Sequence, residues 1–158
     1  MVLRILIADD HLELREILKV LLESHEGWQV CGAATNGIEA VQKAAELKPD
    51  IIILDLSMPE MDGLQAASQI SSGTPDVPIV IYTNHALAPE TIRETRKHGV
   101  WDVLNKAASP TRLLNAIEKL QSQLTGGVAK RLSELKGTGV TKAEFSLPEP
   151  SAEEPEES

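Results

Sequence analysis

A single cysteine, Cys31, stands in 158 residues, so the chain can form neither an internal disulfide nor a cysteine-built zinc site. Its apolar surroundings read as a strand, which makes it a small core side chain rather than a reactive thiol. Aromatic residues are only 3% of the chain: Trp28, Trp101, Tyr82 and Phe145. A base-stacking platform for single-stranded nucleic acid needs several such rings together, and these are scattered. Positive charge is short as well, with 15 Lys and Arg against 24 Asp and Glu and a net charge of −9. An acidic chain repels phosphate backbones, and no basic patch offsets this, so no direct DNA binding is expected. Long hydrophobic runs are missing too. The N-terminus offers Arg4 and the short run Ile5-Leu6-Ile7-Ala8 before two aspartates, which is neither a signal peptide nor a membrane span. The expectation is a soluble, cytoplasmic protein without a membrane partner.

What is present is a regular alternation. With 42% hydrophobic and 25% charged residues, a chain this long can bury roughly two thirds of its unfolded surface in a core of its own. Val2 to Ala8 reads as a buried strand. From His11 to His25, Leu14, Ile17, Leu18, Leu21 and Leu22 mark one helical stripe, which Gly27 ends. Trp28 to Ala34 is a strand again. Asn36 can cap a helix from Gly37 to about Lys48, with Ile38, Val41, Ala44 and Ala45 inward, and Pro49 stops it. Ile51 to Leu54 is apolar throughout, as a strand covered on both faces should be. A weaker helix follows over about Gly63 to Ile70, then a strand over Ile79 to Tyr82. Pro89 opens a helix over Glu90 to His98, Gly99 closes it, and Trp101 to Leu104 is a fifth strand. Ser109-Pro110 starts a last helix that carries Leu113, Ile117, Leu120 and Leu124 on one face to about Thr125.

Five β-α pairs with short connections predict a doubly wound α/β fold, a five-stranded parallel sheet with helices on both faces. Its ligand crevice lies at the carboxyl ends of the strands. The expected organisation is one domain over residues 1–125, a linker over 126–146 with room for a short helix at Val128 to Leu135, and an acidic disordered tail over 147–158. That tail holds five glutamates, three prolines and no base.

The strand ends carry the chemistry. The first delivers Asp9 and Asp10, the third Asp55, the fourth Thr83 and the fifth Lys106. Taken singly, each has a plain explanation: a helix cap, a turn residue, a strand-end hydroxyl, a surface lysine. Jointly they put three carboxylates, a hydroxyl and an ammonium on one rim of the sheet. Three crowded carboxylates repel unless a cation joins them, and oxygen ligands with retained waters suit Mg2+ better than Ca2+. Thr83 and Lys106 then suit a phosphoryl group carried on a carboxylate. His11 follows the acid pair; it begins the first helix facing solvent, with metal ligation as the alternative reading. His85 lies two residues past Thr83, with two readings open: a residue bordering the site and affecting water access, or a plain loop histidine.

Ile5 to His11, Ile53 to Gly63 with Asp55-Leu56-Ser57-Met58-Pro59, then Thr83 and Leu104-Asn105-Lys106, together resemble the response-regulator receiver domain of two-component signalling. The resemblance covers about residues 2–125. It implies a flavodoxin-like sheet of order 2-1-3-4-5, with Asp55 accepting a phosphoryl group from a histidine kinase. It further implies that Asp10, Asp55 and the backbone carbonyl of Ser57 ligate Mg2+, with Asp9 acting through water. Lys106 would pair with the phosphoryl oxygens, and Thr83 would move toward them. Three positions depart from the family pattern: Val103 replaces an aromatic residue, Asn84 a small one and Ala107 a proline. Haloacid-dehalogenase-like phosphotransferases also phosphorylate an aspartate, but they need a second Asp where this chain has Ser57. The reading is a stand-alone signalling receiver, an enzyme only toward its own phosphorylation and dephosphorylation. It would signal by contact with an effector protein, or else pass the phosphoryl group to a histidine phosphotransfer protein, with a phosphorylation-dependent homodimer as a further option. The output surface would be the face made by the fourth helix, fifth strand and fifth helix, with Glu90, Arg93, Glu94, Arg96 and Lys97 on the helix and Asp102, Arg112 and Glu118 on its neighbours, and with the acidic tail as a modulator.

Overall fold

The computed structural model describes residues 2–138, with the side chains of residues 2–124. In chain order the elements are β1 (Leu3–Ala8), α1 (Leu12–Glu23), β2 (Trp28–Ala34), α2 (Gly37–Leu47), β3 (Ile51–Leu54), α3 (Gly63–Gly73), β4 (Ile79–Thr83), α4 (Pro89–Arg96), β5 (Val100–Asn105) and α5 (Pro110–Thr138). The strands form one sheet of order β2-β1-β3-β4-β5. Every pairing is parallel. This is the flavodoxin-like arrangement that the sequence predicts. By contact pattern the chain divides into two units, Met1–Ala116 and Ile117–Ser158; the first holds the sheet, α1 to α4 and the start of α5.

Strand periodicity explains how the sheet is covered. Leu6 and Ala8, Ile52 and Leu54, and Ile79 and Ile81 point to one side, where they join Ala40 and Ala44 of α2 and Ala66, Ala67 and Ile70 of α3 in a single apolar cluster. The residues that alternate with them, Ile5, Ile7, Ile51, Ile53 and Val80, are buried as well. At about 25 cal/mol per Å2 of apolar surface removed from water, these isoleucines, leucines and valines supply the main drive for folding. Small residues on α2 and α3 let the backbones approach closely. A Cβ built on Gly37 would lie 2.1 Å from the carbonyl oxygen of Met61.

Helix ends follow local chemistry. The Asn36 side chain accepts from the backbone N–H of Glu39 at 2.8 Å, the cap expected for α2. Asp62 caps α3 the same way, through Gln65 at 3.0 Å. Ser109 Oγ accepts from Thr111 at 3.2 Å at the start of α5. At the end of the sheet opposite the strands' carboxyl termini, Arg4 ties several elements together. Its backbone N–H donates to Asp50 Oδ2 at 2.9 Å, Asp50 donates back to its carbonyl at 2.8 Å, and its guanidinium donates to the carbonyls of Leu47 and Lys48. Lys48 takes φ 49° there, closing α2 just before Pro49.

Several expectations need correction. On α1, Leu18 and Leu22 are buried but Ile17 is 61% exposed. On α2, Gly37, Ala40 and Ala44 are buried whereas Ile38 and Ala45 face outward. In both helices the apolar residues span a wider arc than one contact face can cover, so the margin of the arc stays in solvent. The helix starting at Pro89 ends at Arg96, two residues before His98, and Gly99 follows at φ 84°. α3 runs on to Gly73 rather than Ile70. α5 continues past Thr125 to Thr138 through Gly126-Gly127, where a linker was expected to begin. Each glycine costs a helix interior about 1 kcal/mol relative to alanine, but it removes no hydrogen bond and so weakens a helix without stopping it. The rest of that linker, from residue 139, and the acidic tail over 147–158 lie outside the described residues.

Candidate functional site

The backbone ladder delivers each candidate side chain to the same rim. Asp9 continues β1, its N–H donating to Ala34 at 3.0 Å, and Asp55 continues β3, its N–H donating to Ala8 at 2.9 Å. Lys106 continues β5, its N–H donating to the carbonyl of Thr83 at 2.8 Å. Because the strands are parallel, four separate segments end side by side.

The geometry is tight. Lys106 Nζ lies 2.6 Å from Asp9 Oδ2 and 3.5 Å from Asp55 Oδ2. Asp9 and Asp55 are each 3% exposed, and Thr83 is fully buried. Asp10 stands at the solvent side, its carboxylate about one-third exposed. Burial pushes the Asp55 carboxyl above the usual carboxylate range, and the Asp9 charge beside it pushes further; Lys106 and the backbone N–H of Ser57 pull partly back. Thr83 Oγ1 accepts from the backbone N–H of His85 at 3.2 Å, so the hydroxyl keeps its own hydrogen for another acceptor.

Asp9, Asp10 and Asp55 thus come together as the sequence predicts, with Thr83 and Lys106 on the same rim. Their carboxylate oxygens, with a ring nitrogen of His11, lie within 4.8 Å of one another. An oxygen-rich set carrying three negative charges suits a hard dication, and the cluster fits Mg2+ chemistry. Ser57 is exposed in the loop after β3, two residues from Asp55.

His11 stands where the sequence places it, at the start of α1 with its side chain 68% exposed to solvent. It is the residue before α1 and caps nothing with its side chain. Its ring Nδ1 turns back to Asp9 Oδ1 at 3.1 Å and Asp10 Oδ1 at 3.2 Å. Arg15 is a participant that the sequence did not reveal. Its guanidinium donates to the Asp9 carbonyl at 2.8 Å, across six residues and out of a strand-to-helix turn, and no simple spacing rule signals such a bond. Val103 is partly buried and packs against the apolar cluster described above. Trp101 sits at a register shift in β5: Val100 pairs with Ile79 but Asp102 pairs with Val80. Strand alternation therefore breaks around Trp101, and the faces of Trp101 and Val103 do not follow from period two.

Comparison with known proteins agrees with this geometry. Residues 5–118 match the family model described as the response regulator receiver domain. The chain is 38% identical over 117 residues to the chemotaxis protein CheY of Thermotoga maritima, covering 74% of this chain and 96% of that protein. It is 50% identical over 82 residues to the transcriptional regulatory protein YdfI of Bacillus subtilis, covering 52% of this chain but only 38% of that one. Among solved structures, the response regulator domain of Thermotoga maritima CheB superposes with a TM-score of 0.67 at 31% identity, covering 77% of this chain and 96% of that chain. No helix among the described residues is long and apolar enough to cross a membrane. With the sheet order, the acid cluster and these likenesses in agreement, the chain belongs to the response regulator receiver domain family.

Proposed function

We propose that this receiver is a signalling switch in which Asp55 accepts a phosphoryl group from a histidine kinase. The observation that carries the reading is the placement of Lys106. A single ammonium spans the carboxylates of Asp9 and Asp55, which end the adjacent strands β1 and β3, at a rim where Asp55 is buried.

The chemistry follows from these groups. An Asp55 carboxylate oxygen attacks the phosphorus of a phosphohistidine, the P–N bond breaks, and an acyl phosphate forms as the imidazole leaves. Lys106 supplies a fixed positive charge for the phosphoryl oxygens and needs little reorganisation to do so. Asp9, Asp10, Asp55 and the carbonyl of Ser57 would hold Mg2+, which supplies charge neutralisation for the transferring group. Thr83 is the responsive element. Its hydroxyl can donate to a phosphoryl oxygen, and it stands at the end of β4, directly before the loop to α4. A shift there reaches α4, whose charged residues Glu90, Arg93, Glu94 and Arg96, with Lys97 just past its end, form the surface offered to an effector protein.

Incubating the full chain with acetyl phosphate and Mg2+ tests this reading by intact mass. The expected product carries one added phosphate that is labile to base. Asp55→Asn and excess EDTA should each abolish it. Labelling that survives Asp55→Asn unchanged would overturn the assignment.

A further inference from the structure

We propose that Tyr82 is a positioning residue of the phosphorylated state: its hydroxyl takes over Asp9 when Lys106 turns from that carboxylate to the phosphoryl group. The inference rests on reading Asp55 as the phosphoacceptor and adds to it a donor that the transfer itself does not use.

Three observations point the same way. First, Tyr82 is 6% exposed, and among the described residues its hydroxyl makes no hydrogen bond. A buried polar group without a partner costs free energy and calls for a reason. Second, strand register brings the phenol to the rim. Ala8 pairs with Leu54 and Leu54 with Ile81, and the Asp55 N–H carries the ladder on to the Ala8 carbonyl at 2.9 Å. One position further, Asp9, Asp55 and Tyr82 form a row across β1, β3 and β4. Alternation sets this row on the face of Ile7, Ile53 and Val80, away from the apolar cluster of α2 and α3. Asp9 and Tyr82 stand two strand spacings apart there, about 10 Å between backbones, an interval their side chains can close from the two sides. Burial pushes the phenol above its ordinary value, while the Lys106 charge pulls it back and the Asp9 charge pushes it up, so both charges reach the ring. Third, Asp9 stands to lose its donor. Its Oδ2 holds Lys106 at 2.6 Å, and the same ammonium already lies 3.5 Å from Asp55 Oδ2. A phosphoryl group on Asp55 draws the ammonium further that way, which deprives a buried carboxylate oxygen of its donor. The Tyr82 hydroxyl is an uncommitted donor on the same face.

Such a donor acts oppositely in the two states. In the resting protein it is an unpaired buried hydroxyl, so Tyr82→Phe, which keeps the ring, should melt no lower than the wild type. In the phosphorylated state it holds Asp9, and its loss should weaken that state alone. A hydroxyl with a purely structural part would act alike in both.

Tyr82 is the one tyrosine of the chain, so labelling the full-length protein with ring-13C tyrosine gives a single Cζ resonance. Beryllofluoride with Mg2+, a stand-in for the phosphoryl group, should move it downfield, as donation to a carboxylate does, and Mg2+ alone should not. Lys106→Ala should bring the same shift without beryllofluoride. In calorimetric titrations Tyr82→Phe should lose about tenfold in beryllofluoride affinity, the worth of one hydrogen bond to a charged group, with Mg2+ affinity changed less than about threefold. A resonance that stays in place while beryllofluoride binds, equal beryllofluoride affinities for wild type and Tyr82→Phe, or a lowered melting temperature of the resting variant overturns the role of Tyr82 and leaves Asp55 standing as the phosphoacceptor. A wild-type chain that binds no beryllofluoride with Mg2+ and takes no phosphate from acetyl phosphate overturns both.

Discussion

Gly63 is seated against Asp55: a Cβ built on the glycine would lie 2.2 Å from the Asp55 carbonyl oxygen and 2.7 Å from the Cα of Leu56. The first residue of α3 is thus the floor of the loop that carries the candidate phosphoacceptor. Its N–H also donates to the Leu56 carbonyl at 2.9 Å. Gly63→Ala should destabilise the fold by about 2 kcal/mol or more, because the obstructing atoms are backbone and cannot rotate away. It should also slow phosphorylation by displacing Asp55. Gly73→Ala is the control: nothing lies within 4 Å of its Cβ, and the helix should gain up to about 1 kcal/mol. Urea denaturation of both variants checks the contrast.

Asp55 is a source of instability in the metal-free protein. Burial and the Asp9 charge raise its folded-state value above the ordinary carboxylate value. The native state therefore holds that proton more tightly than the unfolded chain, and stability falls as pH rises from the unfolded value through the raised folded one. Above that interval the penalty is fully present; below the unfolded value it is absent. Asp55→Asn should raise the melting temperature by a few degrees at neutral pH. The gain should shrink as pH falls through the same interval. Calorimetric scans across pH, without Mg2+, measure it.

Removing the ammonium has the opposite sign. Lys106→Ala leaves Asp9 and Asp55 facing each other without a counter-charge in a buried setting, at a cost of about 2–4 kcal/mol at neutral pH. Saturating Mg2+ should recover more stability in this variant than in the wild type, since the ion supplies the missing charge. Equal Mg2+ stabilisation of the two proteins would contradict that coupling.

Val103→Tyr tests the position where an aromatic residue is absent. Val103 packs against the apolar cluster, so a larger ring should cost about 1–3 kcal/mol in overpacking. Phosphate uptake should persist, since Val103 carries no group that takes part in the transfer. Thermal melts and intact mass after acetyl phosphate treatment separate the two effects.

Much of this molecule was legible from its residues, for identifiable reasons. Ile51 to Leu54 could only be a strand covered on both sides, and it runs straight into Asp55. Asn36 followed by Glu39 set the start of α2, as the observed bond shows. Side-chain alternation and helix stripes failed where geometry depends on partners distant in sequence. Ile17 and Ile38 fit an apolar arc, but the covered width of a helix is set by what lies against it. The register shifts that place Cys31 and Trp101 between paired neighbours depend on strands far along the chain. His11 opens α1 facing solvent, as its place after the acid pair implies, whereas the turn of its ring toward Asp9 and Asp10 is a matter of rotamer that the sequence does not encode. The extension of α5 to Thr138 was missed because Gly126-Gly127 reads as a stop where it is only a weak point.

The Arg4 knot lies at the end of the sheet opposite the rim of Asp9, Asp55 and Lys106. One residue there fastens β1 to its neighbours: its guanidinium donates to carbonyls at the close of α2, and its backbone exchanges hydrogen bonds with Asp50 at the approach to β3. Mechanical anchorage and reactivity are therefore housed at separate poles. Substitutions among the rim loops leave that fastening untouched. Damage to Arg4 would weaken the whole sheet while leaving the reacting groups correctly spelled. A family that must diversify its signalling while keeping its fold gains evolutionary freedom from such a division.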